Sequence, residues 1–189
     1  MGLRKVLLQG DKALLRPSRV VTEFNERLHQ LLDDLQETND QNEGMGMAAP
    51  QVGVLRRAFV VVDLSGAEDV TIEFVNPEII ETSEETEEAA EGCLSVPNIW
   101  AMVTRFKSIK VKAQDRHGAS FELFTDDPYM SRAIQHELDH INGALFTQNA
   151  GRYLSEEEID AVMIERDREL RKRRKAALAE SGARRARTW

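Results

Sequence analysis

The chain has one cysteine among 189 residues. With no second thiol to pair with Cys93, an internal disulfide framework is excluded, and a reducing compartment is the expected setting. Long hydrophobic runs are also missing. Residues 1–8 are too short, and too broken by Arg4 and Lys5, to read as a signal peptide. Nothing approaches the roughly 20 apolar residues of a membrane span. Positive charge is in deficit, with 25 basic against 33 acidic side chains and a net charge of −8. That balance argues against a dedicated nucleic-acid binder, so neither DNA nor membrane is an expected partner. Alternating strand–helix–strand units are absent too, which excludes a doubly wound sheet. These absences leave a soluble cytoplasmic protein of one domain plus at most an appendage, long enough to bury a core.

What is present is the stretch Gln135-His136-Glu137-Leu138-Asp139-His140. On a helix, an H-E-x-x-H places two imidazoles on one face, one turn apart. Glu137 sits where it can exchange protons with a water at a metal's open position. Met130, Ile134, Leu138 and Ile141 recur at helical steps, Asp126-Asp127-Pro128 makes a start and Gly143 a stop. A catalytic site of this kind needs a third protein ligand. In the pattern H-E-x-x-H-x-x-G-x-x-H the third ligand is a histidine, but Phe146 occupies that place here. Glu156, Glu157, Glu158 or Glu165 can supply a carboxylate instead, and Cys93 can supply a thiolate.

A further motif, Gly44-Met45-Gly46-Met47-Ala48-Ala49-Pro50-Gln51, adds two glycines that let a substrate strand lie close to the backbone. The Gln51 amide can either cap local backbone or stabilise an oxyanion. Taken in order, G-x-G-x-A-A-x-Q at 44–51, E-G-C-L-S at 91–95 and Q-H-E-x-D-H at 135–140 resemble the signatures of the peptide deformylase family. The resemblance runs from about Val6 to Phe146.

That resemblance implies a metal-dependent hydrolase that removes the formyl group from the N-terminal formyl-methionine of nascent polypeptides and releases formate. It implies Cys93, His136 and His140 as ligands of one divalent metal, with Glu137 as general base. Ferrous iron is the expected ion; zinc, nickel or cobalt also suits the donor set. Gln51 and the Leu94 backbone N–H are the implied oxyanion donors. Glu91 is expected to support the site, with Arg105 as its ionic partner. Gly44, Gly46 and Met47 are expected beside the substrate, Met47 standing where many members have leucine. Tyr129 and Ala133 lie at helical steps that suit the wall of a methionine pocket. Arg132, one turn before His136, is expected to point its charge away or to border the pocket mouth. Asn98 and Trp100 stand where the family varies.

Two other function classes share these features. An H-E-x-x-H metallopeptidase needs a glutamate or histidine in place of Cys93. A non-catalytic, metal-stabilised ribosome-binding module has no use for Glu137.

The fold class expected is α+β: antiparallel sheets packed around a central metal-binding helix, with N-terminal and C-terminal helices. Residues 14–21 read as extended. A helix follows from Thr22 as N-cap, with Phe24, Leu28, Leu31, Leu32 and Leu35 inward, and Glu26, Asp33, Asp34 and Glu37 toward water. His29 reads as a boundary residue, and 38–43 as a polar exit. Strands are expected at 57–64, 70–75 and 78–84, then a solvated acidic loop at 84–91. One strand from Val103 through Ala113 and a return strand at 120–124 flank an Asp115-Arg116-His117-Gly118 turn, with His117 exposed. Residues 1–150 are expected to form the catalytic domain and 151–189 a C-terminal helix and basic tail. From Glu165 onward ten basic residues, among them Arg184, Arg185 and Arg187, face four acidic ones. That run is either a solvated helix face or, as the resemblance implies, a means of docking on the RNA-rich ribosome surface.

Overall fold

The computed structural model describes residues 2–186, with side chains through residue 179. Three helices and eight strands follow in chain order: α1 (Glu26–Gln41), β1 (Gly46–Ala48), β2 (Ala58–Asp63), β3 (Val70–Thr82), β4 (Thr86–Cys93), β5 (Val96–Phe106), β6 (Ile109–Gln114), β7 (Ser120–Thr125), α2 (Pro128–Ile141), β8 (Ala150–Tyr153) and α3 (Glu156–Ala186). One sheet has the order β1-β2-β3-β6-β7 and the other β4-β5-β8, and every pairing in both is antiparallel. The α+β class holds.

The run Ala58-Phe59-Val60-Val61 explains where the sheets sit, because a strand this apolar must be covered on both faces. Phe59 and Val61 pack with Ile134, Leu138 and Ile141 of α2. Ala58 and Val60 pack with Leu28, Leu31, Leu32 and Leu35 of α1. The five-stranded sheet thus separates the two helices, and α2 lies on the side that also meets the smaller sheet.

Several boundaries depart from expectation, each for a local reason. Helix α1 is capped by Asn25, whose Oδ1 accepts from Arg27 N at 3.1 Å and Leu28 N at 3.3 Å, so Thr22 remains outside it. The helix continues through Thr38, which donates to Asp34 O at 2.6 Å, and ends at Gln41 rather than leaving at 38. Asp34 does not face water: at 3 % exposure it accepts from Gly2 N, Arg4 Nε and Gln30 Nε2. Burial pushes its carboxyl up, but these bonds and the Arg4 charge outweigh that and hold it below its usual value. The expected extended segment opens with a 3-10 turn, Lys12–Leu15, capped by Asp11.

The acidic stretch before Cys93 is strand β4, not a loop. Its exposed Glu87 and Glu88 lie on an edge of the smaller sheet, where charge discourages pairing with other chains. The two strands expected around Asn76-Pro77 are one strand, β3, bent by a register shift there. Asn76 has φ 51°, and its side chain ties the bend to Val21 and Gln114. Conversely, the single strand expected from Val103 to Ala113 is two. The chain bends at Lys107-Ser108 without reversing, since Lys107 N on Glu85 O and Ser83 N on Ser108 O continue the antiparallel pairing, and passes from the smaller sheet into the larger one.

Helix α2 begins as expected, with Pro128 in its first turn and Asp127 Oδ1 accepting from Tyr129 N and Met130 N at 3.0 Å each. Just beyond its end, Gly143 has φ 80°, and a Cβ there would lie 2.8 Å from the Arg16 carbonyl carbon. Only glycine fits this stop. Helix α3 opens on a capping box between Ser155 and Glu158. It is tied to the body by Arg173 on Asp127 and by Arg174 Nη2 on Asp69 Oδ1 at 2.6 Å. The side chains of Arg184 and Arg185, and all of Arg187 to Trp189, lie outside the described residues. No described helix is long and apolar enough to cross a membrane.

Candidate metal centre

Three stretches converge where β1, the β4–β5 turn and α2 meet. From α2, His136 and His140 project on one face with ring centroids 5.0 Å apart and planes at 78°. From the end of β4, the Cys93 sulfur lies 3.2 Å from His140 Nε2. The donor atoms of Cys93, His136 and His140 all lie within 4.8 Å of one another, the one such group of three among the described residues. Donors so close can share one ion at bonds of about 2.0–2.3 Å, so this donor set fits a divalent transition metal. None of Glu156, Glu157, Glu158 and Glu165 belongs to the group, and Glu158 is occupied by Arg152 and Ser155. Phe146 lies tilted beside His136, with ring centroids 5.9 Å apart.

Behind these three side chains runs an ionic network that reaches one of them, His136. Glu91 Oε2 accepts from His136 Nδ1 at 2.9 Å, which leaves Nε2 for the ion. Arg105 donates twice to Glu91, at 2.9 and 3.0 Å, and once to Asp139 at 2.7 Å. Arg132 Nη1 donates to Glu91 Oε1 and to Val103 O, both at 2.8 Å, and Nη2 to Glu87 O at 2.9 Å. Burial pushes the Glu91 carboxyl up, but the bonds and charges of Arg105 and His136 outweigh it and hold it far below the usual carboxylate range. His140 is held well below its ordinary value by burial first, then by His136 and Arg105, which favours the neutral ligand form.

The remaining two polar groups come from β1's neighbourhood and from α2. Gln51 is held in a 3-10 turn, Ala49–Val52, that ends at Gly53 with φ 80°. Its Oε1 accepts from Ala48 N at 2.8 Å, so the amide is oriented, and Nε2 points to Cys93 Sγ at 3.6 Å and Ser95 Oγ at 3.3 Å. Its oxygen thus caps local backbone, while its N–H groups face Cys93 and Ser95. Glu137 is 3 % exposed and its Oε2 has no hydrogen-bond partner among the described residues. Burial, its largest influence, pushes its carboxyl up to about 7. A Cβ on Gly46 would stand 2.8 Å from Glu137 Oε1, so the second glycine of the first motif makes room for this carboxylate.

The expected substrate residues do not all share one surface. At Gly44 a Cβ would meet Asn39 Oδ1 at 2.2 Å and Leu94 Cδ1 at 3.4 Å, so this glycine lies between α1 and the cysteine loop. Met47, expected as lining, is fully buried in the cluster under α1, because β1 turns this side chain toward that helix. Ala133 packs against the α2 side of the core. The Tyr129 ring lies under the Arg173 guanidinium of α3, 4.9 Å from its centroid. Leu94 is half-buried against the α1 cluster. Ser95, Asp139 and the carbonyl-binding role of Arg132 carry no place in the sequence expectations. Ser95 had a signal, its place within E-G-C-L-S; the carbonyl partners of Arg132 had none. Trp100 proves close as well, since a Cβ on Gly92 would strike its ring at 2.4 Å. His29 and His117 meet edge to face at 5.0 Å and stand apart from the ligand group.

Comparison with known proteins agrees with this geometry. The family described as polypeptide deformylase matches residues 3–155. A peptide deformylase of Caldicellulosiruptor bescii is 48% identical over 160 residues, 85% of this chain and 93% of that protein. The crystal structure of peptide deformylase from Thermotoga maritima superposes with a TM-score of 0.75 at 38% identity, covering 80% of this chain and 99% of that one. A class I type b peptide deformylase from Acinetobacter baumannii, solved bound to Met-Ala-Ser, gives 0.72 at 32% identity, covering 78% of this chain and 98% of that one.

Proposed function

This chain belongs to the polypeptide deformylase family, and from that premise we propose how its own residues remove the formyl group from an N-terminal formyl-methionine. The observation that carries the proposal is the Cys93, His136 and His140 donor group, with the unpartnered Glu137 carboxylate next to the first histidine. When bound there, a divalent ion polarises the formyl carbonyl and makes a water more acidic. Cys93 as thiolate, the two imidazoles and the family's metal dependence support ferrous iron as that ion, with zinc, nickel and cobalt compatible.

Glu137 accepts a proton from the attacking water. A carboxyl near 7 suits this role, because the same group must release the proton later. A Cys93 thiolate would offset part of a bound ion's charge, so proton acceptance by Glu137 would matter more than with neutral donors alone. Attack on the formyl carbon creates an oxyanion. Gln51 Nε2, pre-oriented by the bond from Ala48 N, donates to it, and the Leu94 N–H is the second donor. Glu137 then protonates the leaving amine, and the C–N bond breaks to give formate and a free amino terminus. Gly44 and Gly46 leave the backbone open for a substrate strand to lie close, and a formyl carbon, which carries only hydrogen, fits such a tight site better than bulkier acyl groups. The Met-Ala-Ser held by the Acinetobacter baumannii relative supports a methionine-first peptide, with Ala133 and Tyr129 toward its side chain.

Residues 1–150 carry this chemistry in our reading, and 151–189 form a helix and basic tail. Exposed Arg168, Arg171, Lys172 and Lys175 on α3 support docking of that segment on the ribosome surface, in the cytoplasm. The test is formate release from formyl-Met-Ala-Ser with metal content measured on the same sample. Wild type is expected to release formate with about one ion per chain, and Cys93→Ala to lose most of both. Full metal occupancy in Cys93→Ala overturns the ligand assignment.

A further inference from the structure

On the α1 side of the larger sheet lies a groove of about 390 Å³ whose lining includes none of the metal ligands, Glu137 or Gln51. Its floor is apolar, with Val21, Leu28 and Leu31 reaching it from the core cluster under α1. Its rim carries Arg19, Arg27 and Arg56. Backbone fixes where these stand. Arg19 and Arg56 lie side by side in a parallel bridge, flanked by Arg19 N on Leu55 O at 3.2 Å and Arg57 N on Arg19 O at 2.9 Å. Arg27 sits in the first turn of α1, its own N–H bound by the Asn25 cap.

None of these three guanidinium groups has a carboxylate or hydrogen-bond partner among the described residues. Elsewhere Arg105, Arg116, Arg173, Arg174, Lys107 and Lys110 each hold at least one acid. The groove's fourth arginine, Arg4, is turned to Asp34 at 2.7 Å. Glu23, the one acid of the lining, is taken by Asn25 Nδ2 at 3.0 Å. Three cations gathered against a single carboxylate leave the lining net positive, and their mutual repulsion is relieved when a compact polyanion joins them. The guanidinium fork matches phosphate oxygens in pairs, and its flat face stacks on planar groups. An apolar floor below a cationic rim accommodates a body that phosphate alone does not have, and the volume falls within the usual span of small-molecule sites.

We propose that this groove binds a small phosphate-bearing molecule with a planar or apolar body, of mononucleotide size. The probes are ADP and inorganic phosphate, titrated calorimetrically at low salt into the full-length, metal-loaded protein and into an Arg19→Gln, Arg27→Gln, Arg56→Gln variant. ADP is expected to bind more tightly than phosphate, to weaken as salt rises, and to lose roughly tenfold or more in the triple variant. Formyl-peptide turnover stays unchanged, since none of the three touches the metal centre. The single Arg56→Gln variant, expected to weaken ADP severalfold, repeats the test should the triple variant not fold. Absence of ADP binding overturns the proposal, as does equal affinity in wild type and variant, which places the anion elsewhere. Binding of an RNA oligonucleotide at these arginines without binding of ADP overturns it as well, in favour of a polymer partner.

Discussion

Replacing Gly46 by alanine asks whether the first motif exists to make room for Glu137. The added Cβ would lie 2.8 Å from Glu137 Oε1, 3.0 Å from Cγ and 3.1 Å from Cδ. Carbon contacts are comfortable at about 3.5 Å and beyond, so the carboxylate must retreat by roughly 0.7 Å. Its φ is not in the left-handed region, so the backbone tolerates alanine and the clash is with this side chain alone. Overpacking of a buried site costs about 1–3 kcal/mol, offset by roughly 0.4–1 kcal/mol from a stiffer unfolded chain. The fold should therefore survive with a net loss on the order of 1 kcal/mol, measured by urea denaturation. Chemistry should not survive as well, because a retreat of roughly 0.7 Å approaches the ~1 Å misplacement that costs about 10²-fold. Steady-state kinetics on formyl-Met-Ala-Ser should show kcat falling by that factor with bound metal retained. Normal kcat in Gly46→Ala refutes the claim that Glu137 is positioned by this glycine.

Arg132→Met removes one of the two arginines on Glu91 and the clamp onto Glu87 and Val103 carbonyls, so metal affinity should fall about tenfold or more in chelator competition; unchanged affinity means that Arg105 alone suffices. Asp34 has its carboxyl held down in the folded protein, so its stabilisation is present above the ordinary value of 3.8 and fades as pH falls through the lower, folded value. Asp34→Asn should accordingly lower the melting temperature at pH 7, with the gap to wild type closing only in strong acid; a gap that widens on acidification reverses the sign of the argument. Truncation after Glu165 removes Arg173 from Asp127 and from the Tyr129 ring, at a cost of about 1 kcal/mol, while short-peptide turnover persists and ribosome co-sedimentation at low salt declines. Equal co-sedimentation of the truncated protein leaves α3 as a solvated helix.

How much of this was legible in the sequence depended on whether the signal was local. His136, Glu137 and His140 share one helical turn, and Cys93 stands in a compact motif, so their types and spacing were readable before any fold. Gln51 was readable as a polar group but not as an oriented one, since orientation comes from Ala48 N. Strand β4 was hidden because its outward glutamates mask the period of a strand, and charge on an edge resembles charge in a loop. The break at Lys107-Ser108 contains neither glycine nor proline, so nothing in composition marked the switch between sheets. Thr22 and Asn25 are both able caps, and only packing of the α1 stripe decides between them. Met47 was misplaced because β1 is three residues long and lies between two helices, so alternation says little about which one a side chain meets. Arg132 and the arginines of the groove act with partners far along the chain, or with none, and no run of sequence announces either.

The most direct test of the central claim, that Glu137 moves the proton beside one ion held by Cys93, His136 and His140, is turnover of Glu137→Gln measured together with its metal content. The amide keeps the shape of the side chain but cannot accept a proton, so metal should stay at the wild-type level while formate release falls by at least ~10²-fold. Near-normal formate release from metal-replete Glu137→Gln contradicts the account, because some other group then serves as the base.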